Sequence, residues 1–214
     1  MNKKTMTCPH CGAECTVWRN GNRCCPNCGE TFRVDCFDVR PVKQPDNVSC
    51  GWATTLWLLR SFGEIGNGTV VAQKLREELN TDAKRGARGL ANRAADALNH
   101  LFGLNIPHAS GTMPLAIYSA LSRRGLTLKN PIRAESPTAF VDYLEDTFNE
   151  GGRAAMLLWR LDGLMHWMGV DKKNGQVRVM DPNFGAYYPF DTALTNWNTR
   201  NHNANFLVFG IVRK

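Results

Sequence analysis

Residues 44–59 read Gln-Pro-Asp-Asn-Val-Ser-Cys-Gly-Trp-Ala-Thr-Thr-Leu-Trp-Leu-Leu, a polar loop that changes at Ser49-Cys50 into a nearly unbroken apolar run. Trp52, Ala53, Leu56, Trp57, Leu58 and Leu59 leave almost no polar face, and a helix that is apolar all round is a buried one. The pattern predicts such a helix from Cys50 to about Phe62, capped by Ser49, Asn47 or Asp46. Cys50 then sits in a first turn, where free N–H groups and a partial positive charge favour thiolate. Gln44, six residues upstream, carries an amide that can share an oxyanion with the Cys50 backbone N–H. A buried structural thiol and an ordinary loop glutamine are the plain alternatives, so partners elsewhere in the chain must decide.

Two segments downstream supply them. His166 lies in Leu164-Met-His-Trp-Met-Gly-Val170 and Asp181 ends Val177-Arg-Val-Met-Asp181, both with the composition of strands. Asn174-Gly175 between them is a two-residue hairpin signal. Such a turn pairs Lys173 with Gln176, Val170 with Val179, Met168 with Asp181 and His166 with Asn183. His166 and Asp181 then share one sheet face as diagonal neighbours, while Asp171 points to the other. Asp181 is therefore the expected acid, with Asn183 in reserve. A thiol, an imidazole and a carboxylate in this order make a nucleophile, its general base and the group that orients the base. His100 and His108 have no acid on a facing strand, and His202 lies in an asparagine-rich loop where it is expected to be solvated. Trp167 divides evenly between core and groove wall.

Cysteine usage splits the chain. Seven of the eight cysteines fall within the first 36 residues, and two spacings repeat as Cys8-Pro-His-Cys11-Gly and Cys25-Pro-Asn-Cys28-Gly. Two residues between thiolates let one tight turn present both sulfurs to one metal, and the following glycine tolerates the required backbone. Cys8, Cys11, Cys25 and Cys28 are the expected ligands of a single structural Zn2+. Cys24 could replace Cys25, but only Cys25 forms the CxxC pair with Cys28. Cys15, Cys24 and Cys36 are left without an assigned role. A disulfide cluster would need an oxidising compartment; the basic N-terminal residues have no apolar core behind them, so no signal peptide is expected and a disulfide cluster is disfavoured. A unit this small cannot bury enough core to fold alone, so the metal should supply its folding energy.

The expected organisation is a zinc ribbon over residues 1–38, a proline-containing connector, and a second domain over 39–214. Amphipathic helices are expected near 69–79, 88–102, 113–123 and 137–149, then strands near 154–159, 165–170, 176–180, 186–190 and 206–212. A helical half followed by an antiparallel β half is an α+β arrangement. The chain of 214 residues carries a net charge of +7, divided as +2 over residues 1–40 and +5 over the rest. An acidic partner, nucleic acid included, is allowed by this balance but not demanded. No apolar run approaches a membrane span, and a cytoplasmic protein is expected.

Gln44, Ser49-Cys50-Gly51-Trp52 at a helix start, His166 and the Asp181-Pro-Asn-Phe-Gly185 segment resemble the papain-like cysteine peptidases. The details are closest to the YopT/AvrPphB type of bacterial effector protease. In these, as here, the acid is an aspartate opening an Asp-Pro-Asn-Phe-Gly segment. The resemblance covers roughly residues 44–190 and leaves residues 1–40 outside it. It implies a papain-like α+β fold, with Cys50 as nucleophile, His166 as base and Asp181 as orienter acting on a protein substrate. It also implies a bacterial or phage effector or toxin, with delivery into another cell. Transglutamination or deamidation by the same triad is the enzymatic alternative. A zinc-ribbon adaptor for nucleic acid or protein, with an inactive second domain, is the alternative outside catalysis.

Overall fold

The computed structural model describes residues 4–8, 10–17, 21–34, 39–66, 68–85, 114–134, 140–159, 165–200 and 205–213. In chain order these begin with β1 (Lys4–Thr7), β2 (Glu14–Val17), β3 (Gly21–Cys24) and β4 (Thr31–Val34). Next come α1 (Cys50–Ser61), α2 (Thr69–Arg85), α3 (Pro114–Ser122), β5 (Leu126–Leu128), β6 (Ile132–Ala134) and α4 (Val141–Asn149). The remainder is β7 (Arg153–Trp159), β8 (Met165–Lys173), β9 (Gln176–Asp181), β10 (Ala186–Pro189), α5 (Phe190–Arg200) and β11 (Asn205–Arg213). The helix expected at 88–102, together with Cys36, His100, His108 and His202, lies outside the described residues.

The Asn174-Gly175 turn fixes the register of the main sheet. Both residues have positive φ, 50° and 80°, as a two-residue hairpin of matching twist requires. Lys173 pairs with Gln176 and Val170 with Val179, as the count predicts. The ladder then ends at Gly169↔Met180. Pro182–Gly185 form a turn, so the expected pairing of His166 with Asn183 does not occur. The chain folds back into β10, which pairs Ala186 with Asp181. On the other side of β8 lies β7, and beyond β7 lies β11, giving the order β10-β9-β8-β7-β11-β5 with β6 also on β11. All these pairings are antiparallel.

Both faces of this sheet are covered. Leu56, Trp57, Leu58 and Leu59 of α1 join Leu75 and Leu79 of α2 and Ile117 and Leu121 of α3 on one face, against Leu157, Trp167, Met180 and Phe209. Leu144 of α4 and Ala193 and Leu194 of α5 pack on the other, against Met156, Leu158, Met168, Val170 and Val179. Alternate residues of each strand thus serve different cores. The contact of α1 with β8 is very close: a Cβ on Gly169 would stand 2.4 Å from the Trp57 ring. Only glycine lets the two backbones approach so far.

The architecture is α+β, with the buried helix α1 laid on an antiparallel sheet. It is less segregated than expected. Strands β5 and β6 precede α4, and they are too short, at three residues each, to display an alternation. The strand expected over 186–190 stops at Pro189, where α5 begins. No helix among the described residues is long and apolar enough to cross a membrane.

Near the N-terminus, β1 pairs with β2 and β3 with β4, each hairpin enclosing one CxxC turn. The two turns repeat one hydrogen-bond pattern. Cys8 N–H donates to Ala13 O and Gly12 N–H to Cys8 O, just as Cys25 N–H donates to Glu30 O and Gly29 N–H to Cys25 O.

Candidate active site

Helix α1 presents Cys50 at its first position, 5% exposed, and ten of the helix's twelve residues are buried, Cys50 among them. Ser49 is the N-cap, but its side chain makes no capping bond. The reason is local: its backbone (φ −97°, ψ 15°) is outside the extended region a capping serine adopts, and its hydroxyl donates to Asp46 Oδ1 at 2.6 Å. Asp46 Oδ1 also accepts from the Val48 N–H at 3.0 Å, and Asp46 Oδ2 accepts from Arg76 of α2. The expected capping role of Ser49, Asn47 or Asp46 is therefore not realised in its simple form. Arg76 had no signal in the sequence, because a partner 27 residues from Ser49 leaves no local pattern.

His166 and Asp181 meet where the β8–β9 ladder opens. His166 Nε2 lies 3.0 Å from Asp181 Oδ1, and both side chains are almost completely buried. The same Oδ1 accepts the Asn183 N–H at 2.9 Å. Asn183 itself is exposed, and it contributes its backbone rather than its side chain. With Nε2 engaged by the acid, Nδ1 is the ring atom left for Cys50, to which His166 is hydrogen-bonded. Asp171, the rejected acid, is held bidentately by Arg178 Nε at 2.7 Å and Nη2 at 2.9 Å.

These contacts set the charges. Burial pushes the Cys50 thiol up, but the hydrogen bond and charge of His166, with the Trp167 and Gly51 backbone N–H groups, outweigh it and hold the thiol below its ordinary value. Burial likewise opposes charge on His166. Hydrogen bonds to Asp181 and Cys50 and the negative charge of both overcome this and raise it to about 9. A thiolate–imidazolium pair is the state these environments favour.

Gln44 is buried, 9% exposed, and its backbone N–H donates to Pro182 O at 2.9 Å. The segment before the nucleophile is thereby fastened to the turn after the acid. Gly185 closes that turn by donating to Asp181 O, with φ +62° and its Cα face against Lys43. The Gln44 Oε1 is buried without a hydrogen-bond partner among the described residues. Trp167 resolves as core: it is 2% exposed and packs on Phe209 with ring centroids 5.6 Å apart.

A second cluster lies in the N-terminal hairpins. The sulfurs of Cys8, Cys11, Cys25 and Cys28 all lie within 4.8 Å of one another. Cys8 and Cys28 are 3.8 Å apart and Cys11 and Cys25 3.6 Å. A tetrahedral ion with Zn–S bonds of about 2.3 Å separates its sulfurs by about 3.8 Å, so the four residues fit zinc. Cys24 is exposed and turned toward Gly29 O, so it does not displace Cys25. Cys15, by contrast, is buried with its Sγ 3.6 Å from that of Cys25, a neighbour of the cluster that spacing alone did not reveal.

No family model matches the chain, and no curated protein matches it. Among solved structures, the chain is similar to the Pseudomonas avirulence protein AvrPphB, at 19% identity and a TM-score of 0.43, over 82% of this chain and 97% of that one. It is also similar to a double glycine motif protease from an AMS/PCAT transporter, solved with its leader peptide, at 14% identity and a TM-score of 0.42, over 81% and 99%.

Proposed function

We propose that the chain is a cysteine peptidase that cleaves a protein substrate through Cys50, His166 and Asp181. The observation that carries this reading is the buried chain of contacts from Asp181 Oδ1 through His166 to a thiol at the head of α1. The Cys50 thiolate attacks the amide carbonyl, and the Cys50 N–H and the Gln44 side-chain amide are the donors proposed for the oxyanion so formed. Losing one such donor costs about 2.7–4 kcal/mol of transition-state stabilisation. His166 gives its proton to the leaving amine, water then attacks the acyl-enzyme with His166 as base, and the thiolate returns. Asp181 keeps the imidazole oriented and stabilises its charge. Residues 1–38 form a zinc ribbon in this reading and residues 39–214 the peptidase domain, with Cys8, Cys11, Cys25 and Cys28 holding one structural Zn2+. The family resemblance adds an effector role on a protein of another cell.

An irreversible thiol-directed peptidase inhibitor tests the site. Intact mass should register one rapid adduct on the wild type and none on Cys50→Ala. Slow labelling spread over many cysteines and indifferent to Cys50→Ala would sink the assignment. Product analysis then separates hydrolysis, which creates a new N-terminus, from transglutamination or deamidation, which leave an isopeptide bond or a new carboxylate.

A further inference from the structure

Each N-terminal hairpin lends a side-chain donor to a sulfur of the other. Asn27, in the turn between β3 and β4, places Nδ2 3.5 Å from Cys11 Sγ in the turn between β1 and β2. In the opposite sense Cys15, on β2, directs its thiol at Cys25 Sγ, 3.6 Å away. This second contact is buried, with Cys15 3% and Cys25 1% exposed. Cys15 stands outside the set of four whose sulfurs all lie within 4.8 Å of one another, so it is a neighbour of the cluster and not one of its ligands. The repeat gives no reason for a thiol there. The second knuckle runs Cys25-Pro-Asn-Cys28-Gly-Glu-Thr-Phe32, which sets Phe32 where the first has Cys15.

Four thiolates around one divalent ion carry more negative charge than the metal offsets. A donor aimed at a ligand sulfur spreads that charge and fixes the sulfur's direction. Cys15 has a single S–H and two acceptors in reach, Cys25 Sγ and Ala13 O, each at 3.6 Å. Ala13 O already accepts the Cys8 N–H at 2.8 Å, and a charged acceptor holds a donor more strongly than a neutral one. The thiol therefore turns to the thiolate. Resting on the reading of residues 1–38 as a zinc ribbon, we propose that Cys15 is a positioning residue of the metal centre, a protonated fifth thiol that holds the Cys25 sulfur by a hydrogen bond from the opposite hairpin. A thiol is a weak donor, so its effect lies at the lower end of what outer partners of metal ligands contribute, roughly tenfold in affinity.

The test is the zinc affinity of the full-length chain, read by competition with a chromophoric chelator. Cys15→Ala should weaken binding roughly tenfold. Cys15→Ser, of similar size but with a hydroxyl donor, should recover most of that loss, a rescue that mere space-filling would not give. Equal affinity in wild type and Cys15→Ala, or an equal loss in Cys15→Ser, overturns the proposal, while zinc binding by the wild type leaves the ribbon reading intact. A wild type that binds no zinc overturns both. Cobalt(II) in place of zinc separates a donor from a ligand. The thiolate-to-metal charge-transfer band should keep its intensity in Cys15→Ala, and loss of one thiolate's share of it would make Cys15 a ligand and overturn the assignment. Should Cys15→Ala fail to fold, Cys15→Thr and Cys15→Val replace the pair, since they share one shape and differ in the donor. Tighter binding by the threonine variant is then expected, and equal binding decides against the proposal.

Discussion

Asp181 does two things for His166: it accepts from Nε2, and it supplies the negative charge that offsets burial of an imidazolium. Those contributions separate in substitution. Asp181→Ala loses both, and kcat/KM on a protein substrate should fall by at least about 10²-fold, the lower end of what a positioned acid–base group supplies. Asp181→Asn keeps the acceptor and should retain part of that activity. In either variant the alkaline limb should fall. The reactive pair forms as pH rises through the depressed Cys50 pKa and is lost as pH rises through that of His166, at about 9. Without the Asp181 charge the upper limit moves toward the ordinary histidine value, about 6.5, which a pH–rate profile reads directly. At this scale the site was largely legible. Cys50, His166 and Asp181 sit at an element start, a strand and a strand end, and each position carries local information. Arg76 was invisible, because the contact that gives it meaning spans from one helix to the loop before another.

Among the elements, the docking of α1 on β8 is the joint that matters most. Trp57 lies across Gly169, and its indole N–H donates to the Tyr187 hydroxyl at 2.7 Å. Tyr187 in turn donates to Val39 O at 2.8 Å, tying the connector to the same joint. Gly169→Ala would force the Trp57 ring and its helix away, an overpacking that typically costs about 1–3 kcal/mol. The expected result is a melting temperature lower by several degrees, checked by thermal denaturation. A loss of activity beyond that of matched destabilised variants would follow if Cys50 moves relative to His166. The hydrophobic pattern of α1 and the Asn174-Gly175 hairpin made this joint readable in part. The short strands β5 and β6 and the helix α5 escaped, since three residues cannot show a period and Phe190 continued a strand-like run into a helix. Register also failed beyond Gly169, because the ladder gave way to a turn that a count of residues does not foresee.

For the molecule as a whole, the N-terminal cluster has its own prediction. If zinc supplies the folding energy of the two hairpins, metal analysis should find about one zinc per chain, and a strong chelator should unfold residues 1–38. Hydrogen exchange should then rise there while residues 39–214 keep their protection. A metal-free preparation with protected hairpins would contradict it. The paired CxxC turns announced the cluster of Cys8, Cys11, Cys25 and Cys28, whereas the position of Cys15 beside Cys25 needed three dimensions. The larger sheet has a different lesson, and it concerns time. Strand β11 lies between β7 on one side and β5 and β6 on the other, yet it follows Cys50, His166 and Asp181 in the chain. During synthesis, Cys50, His166 and Asp181 leave the ribosome before the last strand of their sheet. Domains fold as units, and such long-range pairings form slowly. If the proposed function holds, the nascent chain is harmless at first: Cys50, His166 and Asp181 are present before the sheet that positions them gains its last strand.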